Sequence, residues 1–107
     1  MADVRLSDRE NGGQIVLRMG DALVVQLQEN AGGGYRWTLT SADPARLENT
    51  EHHYEPVRAG VGSAGASVWT FTPKQTGPTS LELKKVRPWE PDNPAAERFA
   101  VHLDIRA

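Results

Sequence analysis

An all-β chain of about seven short strands is what the sequence predicts, and three observations carry that expectation. Apolar and polar residues alternate at period two in several stretches, most clearly Phe99, Val101, Leu103 and Ile105 against Ala100, His102 and Asp104. Glycine, proline, Asn and Asp cluster between those stretches, where they end strands. Apolar residues hardly recur at the spacing of a helix face, and residues 45–50 carry too few to make one.

In chain order, residues 1–13 are polar and end in Gly12-Gly13, which reads as a flexible lead-in to a single domain over residues 14–107. Ile15, Val16 and Leu17 mark a strand over 14–18, Gly20-Asp21 turns the chain, and Leu23, Val25 and Leu27 share one face of a strand over 22–28. Gly32, Gly33 and Gly34 make a loop, because consecutive glycines lose the most backbone freedom on folding and supply nothing to pack. Tyr35, Trp37 and Leu39 then alternate with Arg36, Thr38 and Thr40 in a strand with one buried face. Ser41 or Asp43 is placed to cap a short helical turn near Pro44.

Residues 51–57 form a polar strand candidate, and residues 58–65 a second glycine loop. Ser67, Trp69 and Phe71 face away from Val68, Thr70 and Thr72 in the next strand, residues 73–78 turn the chain, and Leu81 and Leu83 mark a strand to about Val86. Prolines at 88, 91 and 94 exclude regular structure from residues 87–94, since each removes a backbone donor. The strand beginning near 97 closes the chain. Such a series points to an immunoglobulin-like antiparallel β-sandwich held by packing alone. If the strands beginning near 14, 22, 35, 51, 66, 79 and 97 alternate in direction, the loops around Gly32, Gly62 and Pro88 leave the same end. Those are the three most unusual stretches of the sequence, and loops sharing an end of a sandwich can act as one binding edge.

Composition narrows the function. A chain of 107 residues is one domain, long enough to bury a core without metals or disulfides. The lack of cysteine excludes a disulfide framework, a thiolate nucleophile and a cysteine-ligated metal. Twelve basic against fourteen acidic residues, formal charge -2, argue against a nucleic-acid binder, which needs a basic surface to displace counterions. No apolar run approaches a membrane span, and the amino terminus lacks a signal-peptide pattern. The chain as written therefore reads as cytoplasmic and monomeric when free, or as periplasmic or secreted if a signal has been removed.

Three loop motifs carry a resemblance. Asn30-Ala31-Gly32-Gly33-Gly34-Tyr35-Arg36-Trp37 resembles the Asn-Pro-Thr-Thr-Gly-Tyr/Phe-x-Trp loop of the chagasin-like inhibitors of papain-type cysteine proteases. Gly62-Ser63-Ala64-Gly65 before Trp69-Thr70-Phe71 is similar to that family's Gly-x-Gly-Gly loop and following Trp-x-Phe strand, and Arg87-Pro88-Trp89-Glu90 matches its Arg-Pro-Trp-Glu loop completely. The resemblance runs from about Gln14 to Ala107.

It implies a reversible, non-covalent inhibitor, not an enzyme, with no cofactor, whose partner is a papain-like cysteine protease. The implied protease-binding residues are Asn30, Ala31, Gly32, Gly33, Gly34, Tyr35, Gly62, Ser63, Ala64, Gly65, Arg87, Pro88 and Trp89. In that reading the glycines of the first loop pass close to the catalytic cysteine, and the second loop lies along the cleft as a substrate strand does. Trp89 anchors the third loop, stiffened by Pro88, and Arg87 makes a polar contact or holds the loop together. Two departures stand out: Ala31-Gly32-Gly33 replaces Pro-Thr-Thr, and Ala64 replaces a glycine.

Plainer readings apply elsewhere. Trp37 and Trp69 lie at inward phases and are expected in the core. His52 and His53 are neighbours on a strand, point to opposite faces and read as a surface pair rather than metal ligands; His102 is expected to face solvent. No Ser, His and Asp lie in an activating arrangement. An immunoglobulin-like adhesion or structural module remains the alternative function; in it the glycine loops are permissive connections and Trp89 packs internally, so burial of Trp89 would favour it and exposure the inhibitor. An enzyme or carbohydrate-binding domain would need a concave pocket with convergent polar groups.

Overall fold

A computed structural model describes residues 2–30, 34–56, 64–87, 89 and 97–107. Among them eight strands stack as two four-stranded sheets: β1 (Asp3–Leu6), β3 (Ala22–Asn30), β6 (Ala64–Pro73) and β5 (Leu47–Pro56) in that order in one, and β2 (Gln14–Arg18), β8 (Glu97–Arg106), β7 (Gly77–Val86) and β4 (Arg36–Ala42) in the other. Successive strands alternate in direction. The β3–β6, β5–β6, β4–β7 and β7–β8 pairs are antiparallel, while β1–β3 and β2–β8 are parallel because each joins strands an even number of steps apart.

Period-two alternation decides which face of each strand is buried. Leu23, Val25 and Leu27 of β3, Trp69 and Phe71 of β6, Leu81 and Leu83 of β7, and Phe99, Val101, Leu103 and Ile105 of β8 meet between the sheets with Leu17, Trp37 and Leu47. Phe71 and Phe99 are essentially inaccessible, and full burial of one such side chain stabilises the fold by about 1.5–3 kcal/mol. Trp37 and Trp69 are both core residues, as their phases predict.

The amino-terminal segment departs from the sequence reading. Instead of a loosely held lead-in, residues 3–6 pair in register with residues 22–25 of β3, and Leu6 is 4% exposed in the core. A 3-10 turn, Asp8–Glu10, follows, closed by a capping box. The Ser7 hydroxyl accepts from the turn's backbone, and the Glu10 carboxylate accepts from the Ser7 amide at 3.1 Å. Residues 11–13 then run beside β8: the Gly12 amide donates to the Ala100 carbonyl at 2.7 Å, and the Ala100 amide to the Asn11 side chain at 2.9 Å. Polar composition misleads because two inward residues, Val4 and Leu6, suffice to bind a strand whose other face is wet.

Near Pro44 the expected turn forms, and Asp43 is the residue that closes it, its carboxylate accepting from the Ala45 amide at 3.0 Å. β5 carries a bulge between Asn49 and Glu51. The Asn49 amide fills it, donating to the Thr70 carbonyl at 2.9 Å and to the Glu51 carbonyl at 3.0 Å. One extra residue shifts the phase of the strand. As a result His52 and Tyr54, not His53, lie on the same side of the strand as Leu47, opposite Trp69 and Ser67, although His52 and His53 are both exposed, as a surface pair.

Candidate functional site

The strand registers bring the three unusual loops to one end. Asn30 lies opposite Ala64, Pro56 opposite Gly65, Arg36 opposite Val86 and Lys85 opposite Glu97. The connections between β3 and β4, β5 and β6, and β7 and β8 therefore all leave from and return to the same edge of the sandwich. Of the residues singled out from sequence, Ala31, Gly32, Gly33, Gly62, Ser63 and Pro88 lie outside the described residues, while Asn30 ends β3 and Ala64 begins β6. Gly34, Tyr35, Gly65, Arg87 and Trp89 are described in full.

Two contacts join the first loop to the third. Gly34 has φ +78, the left-handed region, and a Cβ built on it would collide with Trp89 Cη2 and stand 3.2 and 3.3 Å from Cζ2 and Cζ3. The indole therefore rests on the glycine backbone, in space that any side chain would fill. Beside it the Arg87 guanidinium lies 4.5 Å from the centroid of the Tyr35 ring, within cation–π range. Arg36 Nη1 also donates to the Tyr35 carbonyl at 3.0 Å. With one face on Gly34, Trp89 still exposes 66% of its surface, against 4% and 6% for Trp37 and Trp69.

Gly65 has a different reason to be glycine. It is buried in β6, and a Cβ there would strike the Tyr54 ring and lie 2.7 Å from the Glu55 carbonyl oxygen. The register of β5 on β6 demands this glycine, so Gly65 supports the second loop rather than presenting a surface.

Under the edge lies a cavity of about 380 Å³ lined by Glu29, Arg36, Trp37, His52 and Tyr54. Glu29 continues the inward row of Leu23, Val25 and Leu27, is 3% exposed, and was not singled out from the sequence. Its Oε2 accepts from the Trp37 backbone amide at 2.7 Å. The neighbouring Gln28 carbonyl accepts from the Trp37 indole at 3.0 Å, and the Tyr54 hydroxyl donates to the Glu29 carbonyl at 3.4 Å. Following the row of inward positions one step past Leu27 is the signal that finds Glu29.

His52 stacks on Trp69, ring centroids 3.6 Å apart and 13° from parallel, with Nε2 3.0 Å from Ser67 Oγ, which also accepts from the Trp69 indole at 2.9 Å. Burial lowers the His52 pKa below its usual 6.5, with Glu29 opposing and His53 adding to the shift. His53 projects to the other face between Glu55 and Glu51, each 3.2 Å away, and its pKa is raised, chiefly by the hydrogen bond to Glu55. His102 faces solvent, as its phase predicts. A larger cavity, about 570 Å³, lies away from the loop edge, against β2, β7 and β8.

Comparison with known proteins follows the same outline. A family model described as Chagasin family peptidase inhibitor I42 matches residues 16–103. A search of the curated proteins gives no significant match. Among solved structures, the cysteine protease inhibitor EhICP2 from Entamoeba histolytica is 21% identical, covers 99% of this chain and 97% of its own, and superposes with a TM-score of 0.86. Leishmania mexicana ICP is 29% identical over 89% of each chain, TM-score 0.64. PbICP-C, solved in complex with falcipain-2, is 15% identical over 96% of this chain and 88% of its own, TM-score 0.66.

Proposed function

The chain belongs to the chagasin family of peptidase inhibitors, and from that premise we propose that it is a reversible, non-covalent inhibitor of papain-like cysteine proteases. The loop edge fills the active-site cleft. EhICP2 is a cysteine protease inhibitor and PbICP-C was solved in complex with falcipain-2, which supports the target class. The observation that carries the reading is Trp89, 66% exposed at the shared loop end and seated on Gly34. Burial of that ring would have favoured an adhesion module of the same fold instead.

Each part of the edge has a task. Gly32, Gly33 and Gly34 bring bare backbone to the catalytic cysteine, where side chains would clash. The chain entering β6 at Ala64 lies along the cleft in place of a substrate strand, on a base kept narrow by Gly65 against Tyr54. Trp89 buries its exposed face in the enzyme, and Arg87, stacked on Tyr35, keeps the first and third loops together. None of these steps forms a covalent bond.

Titration of the chain against several papain-like enzymes, with a peptide substrate in competition, tests the proposal. Competitive inhibition reversed by dilution, with the chain recovered uncut by mass spectrometry, is the expected result. Full protease activity at saturating inhibitor, or progressive cleavage of the chain, would refute it.

A further inference from the structure

A buried carboxylate in a row of core leucines calls for an explanation, because burying the charge is unfavourable unless it is hydrogen-bonded to advantage. Glu29 is 3% exposed and stands where the pattern of Leu23, Val25 and Leu27 asks for another apolar residue. The bond it makes, 2.7 Å to the Trp37 amide, crosses from one sheet to the other: β3 belongs to the sheet of β1, β6 and β5, and β4 to that of β2, β8 and β7. β4 is an edge strand paired with β7 alone, so Glu29 takes up an amide of its free edge. The contact closes a ring around residues 30–36, the whole first loop with its glycine run.

We propose that Glu29 is a positioning residue for the binding edge. Resting on the inhibitory reading above, the inference is that its carboxylate fixes the two roots of the first loop across the sheet gap. That bond fixes Gly34, and through Gly34 the resting place of the Trp89 indole. Two further bonds reinforce the same junction, from the Trp37 indole to the Gln28 carbonyl and from the Tyr54 hydroxyl to the Glu29 carbonyl, but both use backbone oxygens and would survive a change of the Glu29 side chain. Holding both roots of a loop reduces the freedom its ends must give up on binding, which is the contribution assigned to Glu29.

The test compares Glu29→Leu, Glu29→Asp and Glu29→Gln with the parent in three measurements: thermal midpoint, hydrogen exchange of the Trp37 amide in the free chain, and inhibition of a papain-like protease. Leu continues the apolar row, and Asp falls one methylene short of the amide. Both are expected to speed Trp37 exchange and to weaken inhibition by at least about tenfold, since the buried Trp37 amide loses its acceptor altogether. Gln keeps an oxygen in place and is expected to stay within about threefold of the parent in both. Asp carries the comparison if the Leu variant does not fold. Inhibition by the Leu and Asp variants at parental strength, or equal losses for Gln and Asp, would overturn the inference. A parent that inhibits no papain-like enzyme would refute the proposed function instead, while unchanged Trp37 exchange in Asp would still overturn the role given to Glu29.

Discussion

Gly34→Ala is the substitution whose effect follows most directly from the geometry. Two terms act. An L-residue held at φ +78 is strained by about 1–2 kcal/mol relative to the right-handed regions. The free loop can relax by leaving that conformation, and must return to it to bind, so the strain appears mainly as lost affinity. The new methyl also collides with the Trp89 ring, which must move off its seat. If displacement removes half of an anchor worth about 2 kcal/mol, the sum is about 2–3 kcal/mol, or roughly 30- to 150-fold in the inhibition constant. In a Trp89→Ala background the collision disappears and only the backbone term remains, a factor of about 5 to 30. The assay is a double-mutant cycle of four inhibition constants against one papain-like protease, with thermal midpoints as a control on folding. Equal losses in both backgrounds would refute the seating of Trp89 on Gly34. A loss below about threefold with Trp89 present would refute the need for a left-handed residue as well.

Other predictions concern neighbouring parts of the molecule. Gly65→Ala forces a methyl against the Tyr54 ring and the Glu55 carbonyl and is expected to destabilise the fold by about 1–3 kcal/mol in urea titration; an unchanged midpoint would show that β5 and β6 can separate there freely. Restoring the family's loop with Ala31→Pro, Gly32→Thr and Gly33→Thr should tighten inhibition, because fewer free-loop conformations are lost on binding, and equal constants would sink the idea. The adjacent histidines should titrate on opposite sides of 6.5 when followed by NMR. For His53, whose pKa is raised, the stabilising contribution is fully present below 6.5 and fades as pH rises through its folded pKa, and Glu55→Gln should bring its midpoint down. For His52, whose pKa is lowered, the neutral ring favours the fold above 6.5 and that contribution is lost as pH falls through the folded pKa; coincident midpoints for the two rings would contradict the stacked and paired geometry.

Strand alternation made most of the sandwich legible. The row Phe99, Val101, Leu103 and Ile105, the phases of Trp37 and Trp69, and the grouping of three loops at one end all follow from a period of two and an alternation of direction. What stayed hidden depends on contacts between distant residues. β1 escaped because two apolar residues among charges carry little pattern, although Ser7-Asp8-Arg9-Glu10 has the capping-box spacing that marks an ordered turn. The inward face of β5 was unreadable because the bulge at residues 49–51 shifts its phase, and only the register on β6 reveals that His52 rather than His53 meets Trp69. The glycine run was legible as a loop, yet its third member is fixed by an indole more than fifty residues away in sequence, and Gly65 by a tyrosine on the neighbouring strand. Glu29 reads as a surface residue by type and as a core residue by position, and the structure sides with position.

The inhibition constant of Trp89→Ala against a papain-like protease tests the central claim most directly, because 66% of that side chain is in water and its removal leaves the core untouched. A loss of at least about 2 kcal/mol, roughly thirtyfold, with the thermal midpoint essentially unmoved is the expected result. A variant that inhibits as tightly as the parent would contradict the account, since the edge would then act without its anchor.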